Sequence, residues 1–263
     1  MELTLNDILE YGLKIITINK SSESSVGNVY ILEGDNCKYI LKLYDDINDA
    51  LIMISLHNYL YGHNFIVPSI IKTVDNKSYI EINNKIAIIY SFLEGEQLYK
   101  LFDVIPNYIV ERIALELRRF HDVFSENECS LNTIYFDDFG LKRKSILHFD
   151  LTKSNIFYNK EVDKIGFIDL DDAKYGISLY DVAIIISLLF ISKKRGINYE
   201  GIKIFLKNYY SDENEYKLES KFIKKAAIIW IDYTLLHNDF NSSIKESFEV
   251  KKQLLLMEEN LWN

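Results

Sequence analysis

Few residues in this sequence interrupt regular structure, since Pro68 and Pro106 are the only prolines among 263 residues. No low-complexity tract or internal repeat is visible either. Cysteine is as scarce: Cys37 and Cys129 lie far apart and form no CxxC or other metal-ligand spacing. This scarcity argues against a disulfide framework and indicates reduced thiols in the cytoplasm.

An excess of basic charge is also absent, because 30 Lys+Arg stand against 39 Asp+Glu and give a net charge of −9. Proteins bind nucleic-acid phosphates through clusters of Lys and Arg, so we expect no nucleic-acid partner. The acidic balance favours solubility and is compatible with a cationic or neutral ligand. No feature of the sequence indicates a required protein partner.

Long apolar segments are missing as well. The longest run, VAIIISLLFI from Val182 to Ile191, is well short of the ~20 residues that a membrane span needs, and it predicts a buried helix. The first residues, MELTLNDILEYG, contain no basic stretch followed by an apolar one, so no signal peptide is expected. We therefore predict a cytoplasmic protein without a membrane partner.

The apolar pattern divides the chain in two. Roughly the first ninety residues alternate apolar and polar positions, which predicts an antiparallel sheet, with one helix that begins near Asp49. From Tyr108 onward, apolar residues recur mainly at helical spacing. We predict an α+β fold of two lobes, residues 1–94 and 95–263, joined near Gly95, with a ligand cleft between the lobes.

One segment of the second lobe carries side chains suited to phosphate chemistry. HFDLTKSN, from His148 to Asn155, is followed by the strand-like IGFIDLDD. Asp150, Asn155 and Asp169 offer the carboxylate and amide oxygens that Mg²⁺ binds, and phosphoryl transfer needs such a metal and a base beside the attacking hydroxyl. Ordinary turn residues and the start of a solvated helix would explain the same side chains without any function.

The order of several segments resembles a known family. HFDLTKSNIF and IGFIDLDDA are similar to the catalytic loop and the metal-binding segment of the aminoglycoside phosphotransferase-like kinases, the superfamily that also contains choline kinases. LRRFHDV resembles the family's LxxLHxL helix, IIYSFLEGEQL its inter-lobe linker, and YDVAIII the helix after its metal site. The resemblance covers nearly the whole chain and implies a bilobal, protein-kinase-like fold.

The resemblance also implies roles for individual residues. Asp150 would be the base for the substrate hydroxyl, and Asn155 and Asp169 would ligate Mg²⁺. Lys42, in the third strand, would reach the α- and β-phosphates of ATP or GTP. The alternative is a snorkelling edge-strand lysine, but the place of Lys42 in the third strand favours the functional role. The other nucleotide-binding residues that we expect lie in the covering loop and the linker: Ser24, Ser25, Tyr90 and Phe92.

Three further residues are expected to be structural. His148 and Asp181 would support the catalytic loop rather than react, in keeping with the resemblance. For His121, a buried histidine with satisfied hydrogen bonds is the better explanation than a reactive one.

Several positions depart from the family pattern. The covering loop has one glycine, Gly27. The glutamate that pairs with the phosphate-binding lysine should fall near Ile52 or Met53, and Asp49, one turn earlier, is the candidate substitute.

Two departures lie in the catalytic loop. Phe149 replaces a small or basic residue, and Lys153 adds a cation. For Lys153, contact with the γ-phosphate and exposure to water are equally open alternatives.

The acceptor is expected to be a small molecule with a hydroxyl group. Asp172 and Asp181 lie nine positions apart, which leaves no room for a long segment that could dock a peptide. Asp232 and Asp239, seven positions apart, are predicted on one helix face, either for a cationic substrate or simply in water. An antibiotic and a metabolite are both open as substrates. The alternative function is a pseudokinase-like binding module without turnover.

Overall fold

The computed structural model describes residues 3–21, 28–124 and 131–258. The chain forms two compact units, residues 1–94 and residues 95–263. Each unit contains its own set of buried apolar side chains.

The first unit is built from an antiparallel sheet and one long helix. Within its described residues, the sheet has six strands in the order β1-β2-β3-β6-β4, and β5 also pairs with β6. A short 3₁₀ helix, Leu5–Tyr11, precedes them. The elements are β1 (Thr17–Lys20), β2 (Val29–Glu33), β3 (Lys38–Tyr44), α1 (Ile47–Gly62), β4 (Ile70–Ile71), β5 (Ile80–Ile82) and β6 (Lys85–Ser91).

These elements match the alternation of apolar residues in the sequence, so the predicted sheet with one helix is confirmed. The helix α1 begins at Ile47 because the side chain of Asp46 accepts a hydrogen bond from Asn48 N at 2.6 Å, which caps its first turn. Asp49, where we expected the start, lies in that first turn.

The sheet buries a different core on each face. One face, with Leu41 and Leu43 of β3, belongs to a cluster that includes the 3₁₀ helix. On the other face, Ile40 and Tyr44 of β3 pack in a cluster with residues of α1. Successive side chains of a strand point to opposite faces, so Lys42 lies on the α1 face of the sheet.

The second unit consists mainly of helices, with short strands between them. It contains β7 (Glu96–Gln97), α2 (Leu98–Leu101), α3 (Asn107–Phe124), β8 (Lys144–Leu147), β9 (Ile156–Asn159), β10 (Lys164–Phe167), β11 (Lys174–Ile177), α4 (Leu179–Ile185), β12 (Ile191–Ser192), β13 (Gly196–Ile197), α5 (Tyr199–Tyr209), α6 (Glu213–His237) and α7 (Ser242–Met257). Within the part of this unit that the structure describes, the strands form three small antiparallel sheets: β10-β9-β7, β11-β8 and β12-β13.

The longest apolar run of the sequence lies in the core of this unit. α4 is buried along its whole length, as predicted for this run, but it ends at Ile185. A π-helical turn, Ile186–Phe190, and the strand β12 take up the rest of the run. Among the described residues, no helix has the length and apolar character needed to cross a membrane.

The second unit begins at a glycine that no other residue could replace without strain. Gly95 has φ of +119°, and a Cβ atom at this position would lie 2.8 Å from the carbonyl oxygen of Tyr158 in β9. Side chains make this backbone conformation costly, and the close approach leaves no room for one. Gly95 thereby lets β7 pair with β9.

A lysine side chain is buried in the second unit. Lys251, on α7, is only 8% exposed, and its ammonium group lies 5.7 Å from the centre of the Phe248 ring. Burial lowers the pKa of Lys251 to about 8, because a charge is poorly solvated away from water.

This lysine should make stability depend on pH. The folded-state pKa is below the value of about 10.4 for an unfolded lysine, so the unfolded chain binds more protons between these values and stability rises with pH across that range. We expect Lys251→Met to raise the free energy of unfolding at pH 7 by roughly 3 kcal/mol, at about 1.36 kcal/mol per pKa unit. Most of the gain should be lost by about pH 10.

Denaturant unfolding of both proteins at pH 7, 8, 9 and 10 checks this expectation. Lys252→Met is the matched control on the same helix, because Lys252 forms an exposed ion pair with Asp232, which should contribute less than about 1 kcal/mol. A gain for Lys251→Met that stays constant across the pH range would show that Lys251 is charged throughout.

Candidate active site

The predicted catalytic loop connects two strands of different sheets. It runs from His148, directly after β8, to Asn155, directly before β9, and the chain then returns along β10 to Asp169. Phe149 and Asp169 have φ of +68° and +64°. Such values are uncommon for residues other than glycine and occur where surrounding contacts hold the backbone, often at functional sites.

The carboxylate of Asp181 holds the first half of this loop. Its Oδ2 accepts a hydrogen bond from His148 N at 2.7 Å, and its Oδ1 accepts one from Phe149 N at 3.0 Å. A third donor, His121 Nε2, lies 3.1 Å from Oδ2. Asp181 is fully buried, so these bonds fix the backbone next to Asp150 without competition from water. The supporting position predicted for Asp181 is confirmed.

A chain of hydrogen bonds extends from Asp181 to the edge of the unit. Because the carboxylate can only accept, His121 donates from Nε2, and its Nδ1 therefore accepts from the hydroxyl of Tyr209 at 2.7 Å. That hydroxyl in turn accepts from Arg143 at 3.1 Å. Burial lowers the pKa of His121, against the opposite effect of Asp181, which fits a neutral ring. The prediction of a buried, hydrogen-bonded histidine is confirmed.

Asp150 lies at the turn of the loop, beside Asn155. The amide nitrogen of Asn155 donates to the carboxylate oxygen of Asp150 at 2.7 Å and to its carbonyl oxygen at 2.9 Å. Burial raises the pKa of Asp150, and the carboxylates of Asp172 and Asp169 raise it further, while His148 and Asn155 oppose the shift. A carboxyl group with a raised pKa is a better proton acceptor at neutral pH.

Two main-chain groups connect this loop to the segment that carries Asp169. Ile168 N donates to Asn155 O at 3.0 Å, and Ile168 O accepts from His148 Nε2 at 2.9 Å. The residue directly before Asp169 is thus bonded to both ends of the catalytic loop. The sequence expectation that Asp150, Asn155 and Asp169 share one region is met by these contacts.

Lys153 has a different environment from either alternative considered for it. Its Nζ donates to the carbonyl oxygens of Asp103 at 2.8 Å and Phe102 at 3.2 Å, just after α2. Burial lowers the pKa of Lys153, against the opposite effect of Asp103. The side chain is therefore bound to main-chain carbonyls of its own unit.

Phe149 anchors the loop in a group of aromatic rings. Its ring centre lies 6.0 Å from that of Phe136 and 5.8 Å from that of Tyr233 on α6. Phe136 also contacts Tyr180 of α4 at 4.7 Å. A glycine or another small residue at position 149 would lack the ring that contacts Phe136 and Tyr233.

The residues expected to bind the nucleotide lie in different surroundings. Tyr90 is buried beside α1, with its hydroxyl 3.0 Å from that of Tyr44 and its ring 4.8 Å from that of His57. Phe92 is 43% exposed, and the ammonium of Lys38 lies 5.0 Å from its ring centre. Ser24 and Ser25, together with Gly27, lie outside the described residues.

Neither position expected for the lysine-pairing glutamate carries a charge. Met53 is buried and Ile52 half-buried on α1, and Asp49 is exposed in the first turn of that helix. Lys42 is half-buried on the sheet face that packs against α1.

The expectation for the acidic pair on α6 was wrong. The helix ends at His237, so Asp239 lies beyond it and does not share a helix face with Asp232. Each carboxylate also lies near a lysine, Asp232 near Lys252 at 2.5 Å and Asp239 near Lys245 at 3.7 Å. The seven-residue spacing predicted a common face only under the assumption that the helix continues.

The donor set of the loop suits Mg²⁺, although the described residues contain no group of three His, Cys, Asp or Glu side chains arranged to hold a metal. Mg²⁺ is commonly held by one or two protein carboxylates together with substrate phosphates and water. Because the amide nitrogen of Asn155 bonds to Asp150, its oxygen is the atom left to coordinate a cation. The carboxylates of Asp172 and Asp169 repel that of Asp150 and raise its pKa. A bound cation would reduce this repulsion.

Sequence reasoning missed several residues that hold the site together. Gln97 donates from Nε2 to the carbonyl of Ser154 at 2.9 Å, and Tyr209 completes the bonds of His121. Asp172 entered the sequence analysis only through its spacing to Asp181 and as part of a possible solvated helix start, and it lies in a short 3₁₀ turn, Leu170–Asp172. No local sequence pattern marks Gln97 or Tyr209, because their partners are distant along the chain.

Comparison with known proteins finds a family match over this part of the chain. Residues 135–201, which contain the catalytic loop and Asp181, match the family described as the phosphotransferase enzyme family. No curated protein matches the sequence.

Solved structures extend the likeness to nearly the whole chain. An aminoglycoside phosphotransferase from Alicyclobacillus acidocaldarius is 14% identical, with a TM-score of 0.69 over 97% of this chain and 94% of that one. A spectinomycin phosphotransferase in complex with ADP and spectinomycin is 16% identical, with a TM-score of 0.64 over 97% and 93%. The choline kinase LicA from Streptococcus pneumoniae is 11% identical, with a TM-score of 0.60 over 97% and 98%.

The chain therefore has the fold of the kinases that phosphorylate small molecules. Within that class it resembles the aminoglycoside phosphotransferase and choline kinase superfamily. The resemblance and the α+β fold predicted from the sequence are both confirmed.

The hydroxyl of Tyr209 provides a test of the buried hydrogen-bond chain. Tyr209→Phe removes the donor to His121 Nδ1 and the acceptor for Arg143 while it keeps the ring. Because buried polar groups without partners cost about 1–3 kcal/mol, we expect the free energy of unfolding to fall by that amount in denaturant titration.

Tyr199→Phe, on the same helix α5, is the matched control. Its hydroxyl bonds to Glu258, and its ring is half exposed, so we expect a loss below about 0.5 kcal/mol. Equal losses for the two variants would contradict the importance assigned to Tyr209.

Proposed function

We propose that this protein is a nucleotide-dependent kinase that transfers the γ-phosphate of ATP or GTP to a hydroxyl group of a small molecule, with Mg²⁺ and with Asp150 as the base. Residues 1–94 would bind the nucleotide, and residues 95–263 would carry out catalysis and bind the acceptor. The proposal includes a cytoplasmic location and no required protein partner.

The observation that carries this proposal is the environment of Asp150. Its carboxylate lies beside Asn155 and has a raised pKa, while Asp181 fixes the preceding backbone. In phosphoryl transfer, the protein supplies mainly position and charge, because the transition state needs little covalent help. Asp150 accepts the proton of the acceptor hydroxyl, and the fixed loop keeps its carboxylate directed at that hydroxyl.

Mg²⁺ would be held by the amide oxygen of Asn155 and the carboxylate of Asp169. When bound, it would neutralise charge on the phosphates. Asp169 contributes a full negative charge, so we assign it the larger share of the metal affinity. The main-chain bonds of Ile168 to the catalytic loop keep the two ligands in one region.

For the nucleotide, we propose that Lys42 contacts the α- and β-phosphates. Its position on the α1 face of the sheet supports this role, and the neighbour bound to ADP supports a nucleotide as donor. Phe92 offers an exposed ring, whereas Tyr90 has a buried side chain, so a contact from Tyr90 would come from its main chain. Ser24 and Ser25 remain proposed contacts of the covering loop.

The acceptor would be a cationic antibiotic or a small hydroxyl metabolite. Known structures with this fold include a spectinomycin phosphotransferase and a choline kinase, and the net charge of −9 favours a cationic molecule electrostatically. Since Asp232 and Asp239 each lie near a lysine, we assign them no part in acceptor binding.

One observation favours a second candidate function, a pseudokinase-like nucleotide-binding or interaction module without turnover. Ile52 and Met53 occupy the positions expected for a lysine-pairing glutamate, and Asp49 is exposed. The glutamate that the family pattern places on this helix is therefore replaced by uncharged residues in α1, so nucleotide binding and turnover are tested separately below.

A thermal-shift titration with ATP and GTP, each with and without Mg²⁺, tests the nucleotide site. A ligand at a hundredfold excess over its Kd stabilises the folded state by about 2.7 kcal/mol, so a Mg²⁺-dependent rise in Tm is expected. If neither nucleotide raises the Tm, the proposed kinase is wrong, and the result favours a pseudokinase-like interaction module.

Turnover is tested by ADP release with a panel of acceptors that includes spectinomycin, other aminoglycosides, choline and ethanolamine. We expect Asp150→Asn to lower kcat by ~10²-fold or more, because a positioned base contributes about 10²- to 10⁴-fold, with the nucleotide Kd largely unchanged. Asp169→Asn should weaken the Mg²⁺-dependent thermal shift as well. Asp239→Asn, on an exposed loop, is the control with the same chemical change.

Full activity of Asp150→Asn would contradict the assignment of the base. Nucleotide binding without turnover of any acceptor, in a protein whose thermal shift depends on Mg²⁺, would support the pseudokinase-like alternative.

A further inference from the structure

The second half of the catalytic loop is bound by the segment Gln97–Asp103, which begins two residues after Gly95. Gln97 Nε2 donates to Ser154 O at 2.9 Å, and Tyr99 N donates to Lys153 O at 3.3 Å. β7 also pairs with β9, the strand that follows Asn155. These contacts lie on the opposite side of Asp150 along the chain from those made by Asp181.

Lys153 also donates hydrogen bonds from the loop to this segment. While its carbonyl accepts from Tyr99, its ammonium donates to Phe102 O and Asp103 O. The same residue is thus joined to the segment through its main chain and through its side chain. To rotate the loop away from Gln97–Asp103, both connections would have to break together.

Asp103, which accepts a hydrogen bond from Lys153, is also bound by Arg195. Arg195, in the turn between β12 and β13, donates to the carbonyl of Asp103 at 3.2 Å and forms an ion pair with its carboxylate. The carbonyl of Asp103 therefore accepts from two cationic side chains, which matches its two lone pairs. An ammonium bound to a fixed carbonyl is a firmer support than one in water.

We propose that Lys153 is a positioning residue that fastens the catalytic loop to the segment Gln97–Asp103 and so holds Asp150 and Asn155 at their working separation. The catalytic part of this inference rests on the proposed kinase function, whereas the effect on the loop itself does not. Lys153 is assigned no contact with the phosphates, because its ammonium is bound to two carbonyls.

Hydrogen exchange in the absence of substrate tests the effect on the loop. In Lys153→Met, which keeps the length of the side chain but removes the donor, peptides covering residues 97–103 and 150–156 should exchange about tenfold faster, which corresponds to about 1.4 kcal/mol of local stability. Lys153→Arg restores a donor and should exchange at nearly the wild-type rate. Exchange at the wild-type rate in Lys153→Met would overturn the proposal.

Lys160→Met is the matched control. Lys160 is exposed in the turn after β9, seven positions along the chain, and the exchange of both peptides should be unchanged in this variant. Faster exchange in this control would show that loss of any nearby lysine loosens the loop, and it would overturn the specific role of Lys153.

The catalytic part is tested by comparing kcat with nucleotide affinity. We expect Lys153→Met to lower kcat by ~10-fold or more, since small displacements of a catalytic group cost up to about 10²-fold, while the Kd for ATP with Mg²⁺ changes less than threefold. Lys153→Arg should recover most of kcat. A Kd for ATP that weakens as much as kcat falls would overturn the proposal in favour of a phosphate contact.

Gln97→Leu is a second probe of the same segment, for use if Lys153→Met does not fold. It removes the bond to Ser154 O, and it should raise exchange in the same two peptides and leave nucleotide affinity unchanged. If the wild-type protein shows no phosphotransfer at all, the proposed function fails, and the exchange measurements still decide whether Lys153 holds the loop.

Discussion

The carboxylate of Asp181 is buried on α4, where it accepts bonds from two consecutive main-chain nitrogens, His148 N and Phe149 N, and from the ring of His121. A buried charge is stable only when its hydrogen bonds are satisfied. The nitrogens that satisfy it belong to the residues directly before Asp150, so the same bonds that stabilise the carboxylate in the core also fix the backbone next to Asp150. The left-handed backbone of Phe149 is retained because its nitrogen and its aromatic ring are both held.

The rest of the second unit surrounds this interaction. The hydroxyl of Tyr209 on α5 completes the bonds of His121 and itself accepts a hydrogen bond from Arg143, which keeps the ring in the tautomer that donates to Asp181. The catalytic loop is then supported at two ends, by Asp181 before Asp150 and by the segment Gln97–Asp103 after it. Between these supports, the neighbouring carboxylates Asp169 and Asp172 and the burial of Asp150 raise its pKa.

Much of the site could be foreseen from local sequence. The spacing of Asp150, Asn155 and Asp169 and the apolar strands between them are local features, and phosphate chemistry explains why such oxygens recur together. Lys153 could not be placed in this way, because its partners, Phe102 and Asp103, lie about fifty positions earlier in the chain and main-chain carbonyls leave no mark on the sequence. The expectation for Asp239 failed for a related reason, since helix spacing is valid only where the helix continues.

The sequence by itself determined the α+β class, and it predicted a division near Gly95 and a motif suited to phosphate chemistry, because apolar periodicity and motif spacing depend on neighbouring residues. Only the tertiary structure decided that Asp181 binds the loop backbone, that Tyr209 sets the state of His121, and that Lys153 turns towards carbonyls of its own unit. Each of these interactions joins groups from separate elements. Such contacts arise from the packing of whole helices and strands, and no local pattern of residues encodes them.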